Sequence, residues 1–361
     1  MPPRAHVTDP AKLLPPILRL LEQIPPDAYS AQQKARTTAA RLLASAHYDS
    51  TIEVLFGSAK ELLKLREWGS GCDLAVYLVQ AYEKGEIEVT DESKGMQGSE
   101  VVTIILIPGK ARLMQLLALI DGEGPWRKKV ADAAIKWSSD LGDCPTGDPD
   151  MHKHLGELYY KDRQFPQAEH HLLASCKRDA ASMLADMMFE WSDKGARDPG
   201  AFACRVILPY LSLTPPAILP AKTFMNRYLS LLSAHNPAFI TSNLTAPESS
   251  TSTPFEVSLT VSPSLNFLQL AILTVQRAPA EGVSGVQARG TTGGVGKEWE
   301  SLVRRYKGMG PLLNDEAVQE ALLHISTTAF KIPPPRPTGG NDMLQNLMGS
   351  LFGGGAPPLR R

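Results

Sequence analysis

The sequence predicts an all-α protein, an α-solenoid of stacked antiparallel helical hairpins with one small β-hairpin inserted near its C-terminal part. Three observations predict it. Apolar residues recur at three- and four-residue steps through most of the chain. Proline and glycine, 29 and 28 residues, gather at 1–27, 215–263, 279–296 and 333–358 and leave long stretches between them uninterrupted. Only Phe255–Val261 alternates cleanly at the two-residue period of a strand.

From Ala28 to Glu83 the spacing is helical: Ala35, Ala39, Leu42 and Leu43 form one stripe, and Ile52, Leu55, Phe56, Leu62 and Leu63 another. The pattern resumes at Ala111–Ile120, Val130–Trp137, Leu155–Tyr160, Ala168–Cys176, Met183–Trp191, Phe202–Leu213 and Phe224–Leu232. It continues through Leu265–Val275, Trp299–Tyr306 and Ala317–Phe330, about a dozen helices in all. Val101–Ile107 is β-branched but runs into helical spacing, so it reads as strand or helix. Leu155-Gly156-x-x-Tyr159 followed by Phe165-x-x-Ala168 has the spacing of a tetratricopeptide-like hairpin, in which the small residues let two helices approach closely. A weaker echo runs from Tyr48 to Ser58. The expected division is a partly helical N-terminus (1–27), an N-terminal helical half (28–150), a C-terminal half with the β-hairpin around 250–262 (151–332), and a Pro/Gly-rich tail (333–361). In that tail Leu344, Leu347, Met348, Leu351 and Phe352 share one face of a short amphipathic helix.

The net charge of -1 argues against a nucleic-acid binder, since phosphate affinity comes from clustered Lys and Arg. Four scattered cysteines suggest neither a disulfide framework nor a zinc ribbon. No apolar run approaches the roughly 18 residues of a membrane span, and Met1–Arg4 has no leader pattern, so a cytosolic location is expected. Gly290–Lys297 is glycine-rich ahead of a lysine. It lacks the first glycine of a phosphate-binding loop and has Glu298 where Ser or Thr would hold magnesium, so it is read as a flexible loop. His152, His154, His170 and His171 could meet across a hairpin as metal ligands, but no carboxylate or cysteine completes a set, and surface or capping histidines are expected. No nucleophile elbow or catalytic cysteine context occurs. No enzyme, cofactor or metal is expected.

Several segments in order resemble the Golgi-to-ER traffic protein four family, the α-solenoid subunit of the guided-entry pathway for tail-anchored proteins. They include Tyr29-x-Ala31-x-Gln33-x-x-Arg36-Thr37-x-x-x-Arg41, Tyr48-Asp49-x-x-Ile52-Glu53, Gly69-Ser70-Gly71-Cys72-Asp73-Leu74-x-x-Tyr77-Leu78 and Tyr82-Glu83-x-x-Glu86-Ile87. Lys136-Trp137-Ser138, Gly147-Asp148-Pro149-x-Met151-His152, Tyr160 through Leu173, Leu265–Leu270 and Met343–Leu351 follow. Ala44 stands where some members carry an additional basic residue, and the loops at 236–263 and 279–297 are richer in Pro, Ser and Gly than the family leads one to expect. The resemblance implies a non-enzymatic cytosolic scaffold. Its N-terminal helices would bind the targeting ATPase, and its C-terminal part the N-terminal segment of a ubiquitin-like adaptor, which in turn recruits a chaperone that captures the client's tail.

Arg36, Arg41, Glu53 and Asp73 offer mixed-sign charges suited to a steered contact with the ATPase; the alternative is a solvated face with internal ion pairs, Asp73 being also a possible helix N-cap. Phe255, Val257, Leu259 and Val261 would form the apolar face of the hairpin that clamps the adaptor, or else dock on the chain's own helices. Asn266 and Phe267 join that adaptor site, or serve as cap and core. A helical-repeat subunit of a different cytosolic assembly is the competing reading.

Overall fold

A computed structural model describes residues 9–89, 109–245, 256–278 and 286–334. Val101–Ile107, Phe255 and the tail segment 342–352, expected as a helix, lie outside the described residues. The chain opens with α1 (Pro10–Leu13) and α2 (Pro15–Leu21), then α3 (Ala28–Ala44), α4 (Tyr48–Lys64), α5 (Trp68–Lys84), α6 (Gly109–Leu119) and α7 (Trp126–Asp140). The second half has α8 (Pro149–Lys161), α9 (Phe165–Ser175), α10 (Arg178–Trp191), α11 (Pro199–Ser212) and α12 (Ile218–His235). After α12 come strands β1 (Ile240–Thr245) and β2 (Glu256–Thr260), then α13 (Pro263–Gln276), α14 (Val286–Lys307) and α15 (Glu316–Ala329). Antiparallel neighbours pack as hairpins, and one continuous apolar core runs from Ile17 to Phe330. The helical class predicted from periodicity is what the chain adopts.

Close approach within the hairpins is set by glycine. A Cβ on Gly156 of α8 would stand 2.5 Å from Leu172 Cγ and 3.2 Å from the Leu172 backbone nitrogen. Gly71 of α5 has the same relation to Leu63 of α4, at 2.7 and 3.3 Å. In each pair a leucine lies over the bare Cα of the opposite helix. α5 begins at Trp68 and runs through Gly69, Ser70 and Gly71, so Asp73 lies inside the helix and does not cap it; Glu67 holds that position.

Two buried cations join the halves. Lys110 of α6 reaches Asp148 and Asp150 at the start of α8, 3.3 Å to each. Arg127 of α7 pairs with Asp162 after α8 and donates to the Ile120 carbonyl at 2.6 Å. Asp148 also caps α8, accepting from the Asp150 and Met151 amides at 2.9 Å, while His154 bonds the Met114 carbonyl of α6 at 3.0 Å. The division expected at residue 150 therefore falls in the first turn of α8, at a joint tied by charge as well as by apolar packing.

Two expectations are corrected. Gly290–Lys297, read as a loop, lies within α14. The apolar spacing of Val295, Trp299, Leu302, Val303 and Tyr306 packs against the core and carries the helix back past the glycines, with Trp299 Nε1 donating to Ser326 Oγ at 2.8 Å. The hairpin, placed around 250–262, has its first strand upstream at Ile240–Thr245, paired antiparallel to β2 with a register shift between Ile240 and Ser242.

Replacing an interior helical Gly by Ala ordinarily stabilises by about 1 kcal/mol. At position 156 the contact is with backbone as well as a leucine branch, so Gly156→Ala should instead destabilise by about 1–3 kcal/mol. Urea unfolding of the variant measures it, and a gain in stability would refute the close-approach account.

Candidate functional site

Asp73 is the centre of a charged cluster on three helices. Its carboxylate accepts from Lys129 Nζ of α7 at 2.7 Å and from Gln32 Nε2 of α3 at 3.2 Å, with Arg36 Nη1 at 3.9 Å. The Arg36 guanidinium also sits 5.9 Å from the Tyr77 ring centroid, one turn along α5 from Asp73. These side chains are substantially exposed, so each pair contributes about 0–1 kcal/mol to folding. The cluster is a poor staple and an accessible surface.

The four charges expected to act together are divided. Arg36 and Asp73 meet; Glu53 faces away, paired with the buried Arg112 of α6, whose guanidinium lies 5.5 Å from the Phe56 ring centroid. Arg41 is exposed in the last turn of α3 with no ion pair among the described residues. Five helical residues separate it from Arg36, a rotation of roughly 140°. Tyr77 stands in the Gly69–Leu78 segment without a site role, and Lys129 and Gln32 carry no sequence signal at all: Lys129 is 56 residues from its partner, and no local spacing announces a contact across three helices.

At the other end, β2 is held on both edges. One edge pairs with β1. On the other, side-chain amides of α13 do the work of a third strand. Gln269 accepts from the Ser258 amide at 2.9 Å and donates to its carbonyl at 2.8 Å; Asn266 accepts from the Thr260 amide at 2.8 Å and donates to its carbonyl at 2.9 Å. Both amides use acceptor and donor together, which fixes their orientation. Gln269 is fully buried, so the bonds also satisfy groups that would otherwise be costly to desolvate.

This anchorage revises the expected apolar face. Val257 is buried against the chain itself, Leu259 is half-buried, and Val261, the last residue of the alternating run, is 59% exposed. The strand ends at Thr260 because its hydroxyl bonds the Ser262 carbonyl and Asn266 as α13 begins. Asn266 is the tie for Thr260, and Phe267 is core, packed on Trp299 and Tyr306 at centroid distances of 6.3 and 5.7 Å. Of the six residues expected to touch a partner, Leu259 and Val261 are the described ones with apolar side chains still accessible; Phe255 lies outside the described residues.

The histidines form a cluster of another kind from the one expected. His152 is buried, neither a surface nor a capping residue. Its Nε2 lies 2.9 Å from the Thr146 carbonyl, which can only accept, so Nε2 carries the proton and Nδ1 accepts from His171 Nδ1 at 3.0 Å. The His171 ring stacks on Tyr159 at 5.5 Å. Burial, then the neighbouring His152 and His170, push the His171 pKa down to about 3; burial chiefly lowers that of His152 as well. Among the described residues no group of three or more His, Cys, Asp or Glu is arranged to hold a metal ion.

An α-solenoid with a charged surface on its N-terminal helices and an anchored β-ribbon inserted in its C-terminal half defines the class. A family model described as Golgi to ER traffic protein 4 matches residues 45–352. Golgi to ER traffic protein 4 of Aspergillus fumigatus is 30% identical over 345 residues, 94% of this chain and 89% of its own. The Schizosaccharomyces pombe protein of the same name is 27% identical, with 92% of each chain covered, and the Homo sapiens homolog 24% identical over 91% of this chain and 83% of its own. The crystal structure of C. therm. Get4 superposes with a TM-score of 0.72 at 27% identity, covering 98% of both chains. The chain belongs to the Golgi to ER traffic protein 4 family. It is thereby a protein of Golgi-to-ER traffic, in a family named for transport and for no enzymatic activity.

Gln269→Leu should free the β2 edge, costing about 1–3 kcal/mol locally; amide exchange of residues 256–260 should accelerate while that of α4 and α5 stays unchanged. A buried histidine with a lowered folded pKa binds its proton first in the unfolded chain. Its contribution is full above the unfolded pKa of about 6.5 and is lost as pH falls from there towards about 3. The unfolding free energy from urea titrations should therefore fall between pH 7 and 5 by up to about 1.4 kcal/mol per pH unit per histidine, and His171→Asn should flatten that slope. Asp150 and Asp179, whose pKa values are lowered by Lys177 and Lys153 respectively, act only below about 3.8 and stay outside this window.

Proposed function

We propose that this chain is a non-enzymatic cytosolic scaffold bridging the ATPase that targets tail-anchored proteins and a ubiquitin-like adaptor, so that a client is handed over towards the ER membrane. The observation that carries the reading is the pairing of two unlike surfaces on one continuous core: an exposed, charged cluster on α3, α5 and α7, and an apolar-edged ribbon fastened to α13. Exposed charge suits a fast, salt-sensitive, transient contact, as a cycling ATPase requires. A ribbon presenting Leu259 and Val261, with the outer edge of β1 unpaired among the described residues, suits an extended, long-lived partner segment. Joining both partners on one body makes their encounter effectively intramolecular. No helix among the described residues is long and apolar enough to cross a membrane.

The ATPase contact is assigned to Arg36, Asp73 and Arg41, with Lys129 and Tyr77 added and Glu53 as a flank. In the adaptor contact, Leu259 and Val261 touch the segment, while Val257, Asn266 and Phe267 hold the ribbon in position. A helical-repeat subunit of a different assembly remains the competing reading, and partner binding decides between them.

Charge reversal at Asp73 or Arg41 should weaken ATPase binding on the order of tenfold and leave adaptor binding intact, and raising salt should weaken the same contact further. Leu259→Asp with Val261→Asp should release the adaptor's N-terminal segment and spare the ATPase. Calorimetry with each partner at low and high salt separates these outcomes. Equal loss of both partners in either variant, or an adaptor contact indifferent to the double substitution, counts against the scaffold.

A further inference from the structure

A groove of about 570 Å3 lies between α1–α2 and the start of α4. Its floor is apolar, built from Ala11, Leu14, Pro15 and Leu18. The chain can supply that floor because the apolar residues of α2 and its cap spread over a wide arc. Ile17 and Leu21 are buried in the core, whereas Leu14 and Leu18, one turn apart, stay partly open. Leu14 rests on Gly57 of α4, where a Cβ would stand 2.7 Å from Leu14 Cδ2. The rim is acidic, with Asp9, Glu22, Asp49 and Glu53 against one cation, Arg19. Two of these carboxylates are occupied: Glu53 pairs with Arg112, and Asp9 accepts from the Ala11 amide as it caps α1. Glu22 and Asp49 are exposed and make no ion pair among the described residues.

We propose that this groove docks a basic amphipathic helix of a partner protein, its apolar stripe on Leu14 and Leu18 and its lysines or arginines at Glu22 and Asp49. A helix fits because the lining repeats by the turn: Ala11, Leu14 or Pro15, and Leu18 follow one another along one wall, Asp49 and Glu53 along the other. Such a guest satisfies its own backbone, and the floor's side chains, which carry no polar group, need offer it only apolar contact. The volume falls within the roughly 300–1,000 Å3 of ligand clefts. Charge then selects among helices. An acidic one meets like charge at Glu22 and Asp49, whereas a basic one is steered in and held. The groove shares only Glu53 with the ATPase contact proposed above, and Arg112 already holds that residue.

The probe is a fluorescent peptide of about 14 leucines and lysines with leucines at helical spacing and one central photoreactive leucine analogue. Two control peptides replace every lysine by glutamate or every leucine by alanine. Each is titrated against the full chain and against Glu22→Lys/Asp49→Lys, whose exposed positions leave the core untouched; circular dichroism confirms that the variant is folded. The leucine–lysine peptide should bind, cross-link within residues 10–22 and 49–53, and lose affinity about tenfold or more in the variant, with both controls weak. ATPase binding should be unchanged in the variant. Cross-links spread over other faces, equal binding of the glutamate peptide, or indifference to the double reversal would overturn the proposal. Loss of ATPase binding in the variant would assign the groove to the ATPase instead, and self-association of the chain abolished by the reversal would make the occupant a second copy.

Discussion

The relation between the two ends of this protein depends on two buried cations at the joint between its halves. Lys110 and Arg127 are nearly inaccessible to water, and each is held by carboxylates belonging to α8 or its flanks. A buried charge that loses its partner costs about 3–5 kcal/mol, far more than an exposed pair contributes. The joint therefore has one strongly preferred geometry, in which Asp148 must both cap α8 and answer Lys110. Apolar packing alone would tolerate sliding of one hairpin over the next. Ionic groups with fixed hydrogen-bond directions do not.

This contrast, buried ion pairs at the joint and exposed ones on the surface, organises the molecule. The ion pairs of Asp73 lie half in water, where they are nearly neutral for folding and free to be exchanged for a partner's charges. Arg112 with Glu53 sits between the two regimes: the cation is buried and the carboxylate partly exposed. Glu53 is thus committed to holding α4 on α6 and has less freedom to serve a visitor.

Much of the architecture was legible because helix periodicity is a local signal. The stripe Ile52–Leu63 and the Gly156–Ala168 hairpin read directly from spacing, and Gly156 lies where close approach demanded it. What was illegible depended on partners distant in sequence. β1 reads Ile-Thr-Ser-Asn-Leu-Thr, with too little alternation to announce a strand; it is one because β2 and α13 hold its neighbour in place. Val261 continues a clean alternation yet is exposed, because Asn266 ends the strand one residue earlier. The glycines of α14 signal a break, and the apolar face beginning at Val295 overrides them. At the charged site, Asp73 and Arg36 were visible as charges, whereas Lys129 enters from another helix pair altogether.

The amide side chains along β2 have a further consequence for how the ribbon behaves in a crowded cell. A two-stranded ribbon normally offers two open edges, and two open edges allow chains to add without limit, the geometry of a growing fibre. Here Gln269 and Asn266 occupy one edge, so that among the described residues only β1 can accept a further strand. Two copies that met through β1 would enclose each other's open edges in a four-strand sheet with an amide-sealed strand at either side, and growth would end at that point.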